Sequence, residues 1–213
     1  MPPPLMPRVD GIVTLSRRVR DIQRALHPDL LALPTWIIPP AYSAAAHWTW
    51  RKGLARMMQS RPATRSSIDS ALVRQTIDLL RARDLDLKIY GQDTSGGFID
   101  AAAKAVLQGA CSCYVSPLPP WAGFGLAQHE CMAAGVPVAG LTWGDLSEEM
   151  PSGYMSLCEN LDDLAAAIER LCRSEDYARA ISAIGLDYIA GRRTMRTMDD
   201  AVERFADTLP PSH

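Results

Sequence analysis

Residues 116–140 read Ser-Pro-Leu-Pro-Pro-Trp-Ala-Gly-Phe-Gly-Leu-Ala-Gln-His-Glu-Cys-Met-Ala-Ala-Gly-Val-Pro-Val-Ala-Gly, and few folds can hold such a run. Pro117, Pro119 and Pro120 forbid regular structure after Ser116, so the apolar residues before it end a buried strand there. Gly123-Phe124-Gly125 then lets the backbone turn tightly into a helix expected over 126–134. Gly135 stops that helix, and the apolar residues 136–139 make a short strand. Strand, tight turn, helix and strand form a repeating unit of an open parallel sheet. In such a sheet a glycine-bracketed turn into a helix is where anions bind. Free backbone N–H groups point outward, and the helix dipole contributes roughly 0.3–1 kcal/mol toward a nearby negative charge.

Within this run Gly123, Phe124, Gly125, Leu126, Glu130, Met132, Ala133, Gly135, Pro137 and Val138 keep a fixed spacing. The pattern resembles the signature of the family-4 type of GT-B glycosyltransferases. That signature reads Glu-Gly-Phe-Gly-Leu, three residues, Glu-Ala-Met-Ala, one residue, Gly-x-Pro-Val. One position departs from it: the family's first glutamate, which binds donor-sugar hydroxyls, falls on Ala122. The resemblance implies an α/β fold, a Rossmann-like parallel sheet with flanking helices, of the kind that forms the C-terminal, donor-binding domain of GT-B enzymes. It extends over 54–209 and is dense from 116 to 171.

Composition narrows the alternatives. The chain has 213 residues, 47% of them hydrophobic, enough for one sizeable core. A net charge of -2 gives no reason to expect nucleic acid as a partner. Cys111, Cys113, Cys131, Cys158 and Cys172 include no Cys-x-x-Cys pair and read as reduced thiols. No basic-then-apolar leader opens the sequence, so a cytoplasmic location is expected. The long uncharged run over 30–50 holds Pro34, Pro39, Pro40 and His47, which argue against a membrane span.

Four segments are expected. Residues 1–41 carry a proline-rich start, a strand over 9–16, an amphipathic helix over 17–26 ended by Pro28, and a strand over 35–38. In the resembled family such a strand–helix–strand, followed by Ile-Pro, closes the N-terminal domain, so 1–41 reads as a remnant of that acceptor-binding domain. Residues 42–53 form a linker. Its Trp48, Trp50, Arg51 and Lys52 fit packing on the next domain, or peripheral contact with the inner face of a membrane. Residues 54–192 form the nucleotide-sugar-binding domain. Its elements are a strand over 54–59, a helix from Ser66 or Ser67 to 82, a strand over 85–90, helix 98–107, strand 110–115, the opening run, and helices capped by Asn160 and Ser174. Between Gly91 and Ser116 the chain is short, so the sheet is expected to have one strand fewer than the family's. Residues 193–213 form a last crossing helix, capped by Thr197, and a tail.

The site expectations follow from the resemblance. Gly123, Phe124, Gly125 and Leu126 would supply N–H groups to a diphosphate, Arg56 and Arg61 the cations, with Arg65 able to replace Arg61. Glu130 would bind the ribose hydroxyls. Sugar transfer of this kind works by stabilising a departing diphosphate electrostatically, and it asks for no metal and no cofactor beyond the nucleotide sugar. No residue is assigned as catalytic. His129 neighbours Glu130 but points about 100° away on the helix, so it reads as a packed or solvent-facing residue. The leading function is glycosyl transfer from a nucleotide-diphosphate sugar, with retention at the anomeric carbon. Two other readings stand beside it. One is a donor-binding subunit whose acceptor side comes from a partner chain or a homodimer. The other, suggested by Ala122, is a catalytically degenerate nucleotide-binding module.

Overall fold

The computed structural model describes residues 11–28, 33–45, 47–58, 70–90, 97, 100–117, 125–142, 150, 154 and 157–208. It opens with β1 (Ile12–Thr14), α1 (Arg17–Leu26) and β2 (Thr35–Ile37), and the two strands pair in parallel with Ile12 opposite Thr35. Ser16 starts α1 by accepting from the Val19 N–H at 3.1 Å.

The main sheet has five strands: β3 (Leu54–Met58), β4 (Asp86–Tyr90), β5 (Cys113–Ser116), β6 (Val138–Leu141) and β7 (Leu157–Cys158). They lie in the order β4-β3-β5-β6-β7, and every pairing is parallel. This is the doubly wound arrangement, with the strand order reversing between β3 and β5. All four residues of β5 and of β6 are buried, which suits central parallel strands covered on both faces. Among the described residues α3 (Ala101–Gly109) is the one element between β4 and β5.

The remaining helices are α2 (Ser70–Arg81), α4 (Leu126–Ala133), α5 (Leu161–Arg173), α6 (Glu175–Arg192) and α7 (Met195–Ala206). The expected caps at Asn160 and Ser174 are present. The cap of α7 is Thr194, three residues before the expected Thr197. Arg193 ends α6 in a non-helical conformation, and the chain re-enters a helix at once, with Thr194 Oγ1 accepting from the Thr197 N–H at 3.3 Å. Gly135 ends α4 with φ +84°, while the Gly135 and Val136 N–H groups bond Met132 O and Cys131 O. That double closure needs a left-handed residue at this position, which glycine adopts without strain.

The linker lies along the main domain. Ala45 and His47 N–H groups bond Ala133 O and Ala134 O at the end of α4, and Thr49 bonds Gly109 O. The indole N–H groups of Trp48 and Trp50 donate to Cys111 O at 2.8 Å and Leu171 O at 3.0 Å. Both tryptophans are thus used on the domain, and nothing in their placement supports the membrane contact. Among the described residues no helix is long and apolar enough to cross a membrane.

Candidate donor site

Open α/β sheets bind ligands outside the carboxyl ends of their strands, where the strand order reverses. Here that place lies beyond the ends of β3 and β5. α4 enters it directly. Gly125 is buried and carries no side chain to cap the helix, so the first N–H groups, at Leu126 and beyond, depend on other acceptors. The Gln128 amide folds back over Gly125 to bond the Ser116 hydroxyl at the end of β5, pinning the helix start to the strand. A Cβ at Gly125 would stand 1.8 Å from Gln128 Oε1, so the glycine makes room for that latch. Gly123, Phe124, Ala122, Arg61 and Arg65 lie outside the described residues.

Glu130 follows one turn later. Its carboxylate pairs with Lys104 Nζ of α3, and both side chains are about one third exposed, 39% and 34%. The pair holds the carboxylate at the rim of a cleft of about 200 Å³, which Tyr42, Ser43, His47 and Gln108 also line. Lys104 played no part in the sequence reading. Its one signal is that it is the lone charge in the alanine-rich 101–107.

His129 turns the other way, into the protein, and is 1% exposed. Its Nδ1 donates to Gly125 O at 2.9 Å. The ring stacks on Tyr42 at 5.8 Å and 12° and tilts against Tyr188 at 6.0 Å. Burial depresses its pKa to about 4. Arg193, nearly buried, donates from Nε to the Tyr188 hydroxyl at 2.9 Å, and its carbonyl accepts from the Tyr42 N–H at 2.6 Å. Tyr42, Tyr188 and Arg193 sit far apart in sequence, and no local pattern announces the cluster.

Arg56 is 9% exposed and sits mid-strand in β3. Its guanidinium donates to Leu107 O at 2.7 Å, in the last turn of α3, and lies 5.6 Å from the ring centre of Tyr90. A cation there meets the negative end of the helix dipole. Arg56→Met is therefore expected to lower stability by about 1.5 kcal/mol or more, the worth of a hydrogen bond to a charged group. Urea unfolding measures this. A variant as stable as the parent, with weakened nucleotide binding, would return the arginine to a donor role.

Cys111 precedes β5, and the Cys113 thiol, raised well above its usual pKa, is hydrogen-bonded to Cys172 of α5. The Cys111 thiol instead donates to Gln108 O at 3.3 Å. Among the described residues no three His, Cys, Asp or Glu side chains gather as metal ligands would.

Comparison with known proteins finds similar sequences and folds. Residues 71–174, from α2 to the end of α5, match the model described as Glycosyl transferases group 1. That segment is similar to group 1 glycosyltransferases. Most of the chain also superimposes on solved GT-B structures. S. aureus TarM, whose structure was determined with fondaparinux, α-GlcNAc-glycerol and UDP, gives a TM-score of 0.71 at 14% identity over 93% of this chain and 43% of its own. Anabaena HepE in complex with UDP and glucose gives 0.67 at 15% identity, over 94% and 64%. The GtfA/B complex gives 0.57 at 16% identity, over 93% and 45%. This chain spans less than two thirds of the length of each. No curated protein matches the sequence. The five-stranded parallel sheet with flanking helices, shared with these solved structures, bears out the expected Rossmann-like α/β class.

Proposed function

We propose that the chain is the donor-binding half of a glycosyltransferase. It binds a nucleotide-diphosphate sugar at the start of α4 and takes part in transferring the glycosyl group, with retention, to an acceptor. The observation that carries this is the placement of Glu130. It stands one turn inside the helix that leaves β5, held by Lys104 at the rim of a cleft between α3, α4 and the linker. A carboxylate there accepts from ribose hydroxyls while the helix start faces the diphosphate. By the sequence resemblance, Gly123, Phe124, Gly125 and Leu126 would supply N–H groups to the diphosphate and Arg61 a cation. Arg56 stays on α3. The UDP-bound TarM and HepE structures are of the same fold and agree with this use of it.

The departing diphosphate is the group whose charge grows during transfer. Backbone N–H groups already aimed at it stabilise the transition state without reorganising.

Titration calorimetry with UDP, GDP, ADP and their sugar conjugates tests the reading. One nucleotide should bind, and Glu130→Ala should weaken it about tenfold or more, near 1.4 kcal/mol. Absence of binding by every nucleotide at millimolar concentration would sink it.

A second reading is favoured by the first unit. Val13 and Leu15 are 46% and 38% exposed, and Leu26 at the end of α1 is 69% exposed. An apolar face of this kind fits a partner chain that supplies the acceptor side, as a two-chain assembly like the GtfA/B complex would. Glycosyl transfer by the isolated chain would set that reading aside.

A further inference from the structure

We infer that His129 is a positioning residue that joins the α4 turn to the junction of the linker with the end of α6, so that the aim of the Leu126 N–H and the order of that junction change together. What the turn holds rests on the donor site proposed above; the coupling itself does not. At the turn, His129 Nδ1 donates to Gly125 O at 2.9 Å, beside the Gln128 and His129 N–H groups at 3.1 and 3.3 Å. That carbonyl and the Leu126 N–H belong to one planar peptide unit, so a grip on the oxygen fixes the direction of the N–H. The Leu126 N–H opens the helix, where the first N–H groups have no partner inside it and point out of its start.

The other end is the junction. The chain passes between the first unit and the main sheet at the linker and again at Arg193. There α6 ends, and α7 returns to set Phe205 edge-on against Trp36 at 4.8 Å. The bond from the Tyr42 N–H to Arg193 O, 2.6 Å long, ties the two passages together. The bond from Arg193 Nε to the Tyr188 hydroxyl, at 2.9 Å, ties the second passage to the body of α6. His129 meets both sides of this junction, stacked on Tyr42 at 5.8 Å and tilted against Tyr188 at 6.0 Å. The ring is 1% exposed, and a close-packed interior passes a displacement on to its neighbours. Two properties are combined in this one side chain. A phenyl ring would fill the space but could not hold the carbonyl, and a glutamine amide would hold the carbonyl but offer no ring to the tyrosines.

Amide hydrogen exchange followed by NMR tests the coupling without any ligand. Tyr188→Phe loosens the junction, since it takes the hydroxyl from Arg193 and leaves the ring against His129. The Gln128 amide, in the first turn of α4, is expected to exchange about fivefold faster or more in this variant, as a lost bond to a charged group implies for a local opening. The Leu164 amide, which bonds Asn160 O at the start of α5, is expected to keep its rate. The same substitution is then placed on His129→Phe and on His129→Gln, each of which breaks one of the two links. There it is expected to add less than about twofold at Gln128. An unchanged Gln128 amide in Tyr188→Phe, or an equal acceleration in all three backgrounds, would overturn the coupling. So would an equal acceleration of Leu164, because the whole fold would then have weakened. A second arm adds UDP, GDP and ADP. Whichever binds should slow the Tyr42 amide in the parent and in neither His129 variant, and equal slowing in all three would overturn the inference. If no nucleotide binds the parent, the donor site falls, and the ligand-free rates still decide the coupling.

Discussion

Ile168→Ala is expected to destabilise the protein by about 2–5 kcal/mol, a large share of the roughly 5–15 kcal/mol that holds a domain of this size together. The side chain is fully buried in the middle of α5, in one stripe with Leu164 and Leu171, which are also 0% exposed. That helix touches α2, α6 and the strands β3, β5, β6 and β7, so it is the element on which both layers close. Removing the branched end of Ile168 forfeits its transfer free energy. It also leaves a cavity that neighbours on two helices and a sheet cannot all move to fill. Urea unfolding followed by circular dichroism measures the effect. Val202→Ala on α7, at a position 41% exposed, should stay within about 0.5 kcal/mol and serves as the contrast. A cost below about 1 kcal/mol for Ile168 would mean that the core lies elsewhere.

What was legible in the sequence follows from how local its causes are. The helix of Glu130 and the strand after it were legible because prolines, Gly125 and Gly135 punctuate them, and glycine and proline act on their own backbone. The caps at Asn160 and Ser174 were legible for the same reason. Strand limits shifted where a chain's partners decide them. The strand expected over 136–139 is β6, two residues later, because Val138 is the first residue that β5 can pair, through Tyr114. Thr197 had the right residue type for a cap, but the end of α6 at Arg193 placed the cap at Thr194.

The site divides in the same way. Glu130 was legible from its spacing to Gly123 and Gly125. Lys104, which holds its carboxylate, was not, since it comes from another helix 26 residues away. Arg56 shows the limit from the other side. Its spacing to Arg61 pointed to a diphosphate, whereas its guanidinium is engaged by Leu107 O, a partner that only the packing of α3 on β3 could bring near. Buried polar groups find their partners through tertiary structure, so a pattern in one stretch names the residue type and leaves its partner open.

His129 carries the other large expectation, a loss of stability in mild acid. Its imidazole is buried between Tyr42 and Tyr188, with Arg193 adding a positive charge nearby. Burial lowers its pKa to about 4, against about 6.5 in an unfolded chain. The sign follows from proton counting. Between pH 6.5 and pH 4 the unfolded chain binds a proton that the folded protein refuses, so acid favours unfolding throughout that window. Above pH 6.5 both states are neutral and nothing changes. The loss amounts to about 2 kcal/mol between pH 7 and pH 5 and about 3 kcal/mol by pH 4. His129→Leu removes the titrating group. The variant loses the bond to Gly125 O and is expected to be weaker at pH 7, yet its stability should stay nearly level down to pH 5. Unfolding curves at half-unit pH steps read both slopes. If parent and variant decline in parallel, the acid sensitivity belongs to another group. If only the parent declines, a neutral imidazole is what the fold requires beside Gly125, and the start of α4 keeps its geometry only while that ring is uncharged.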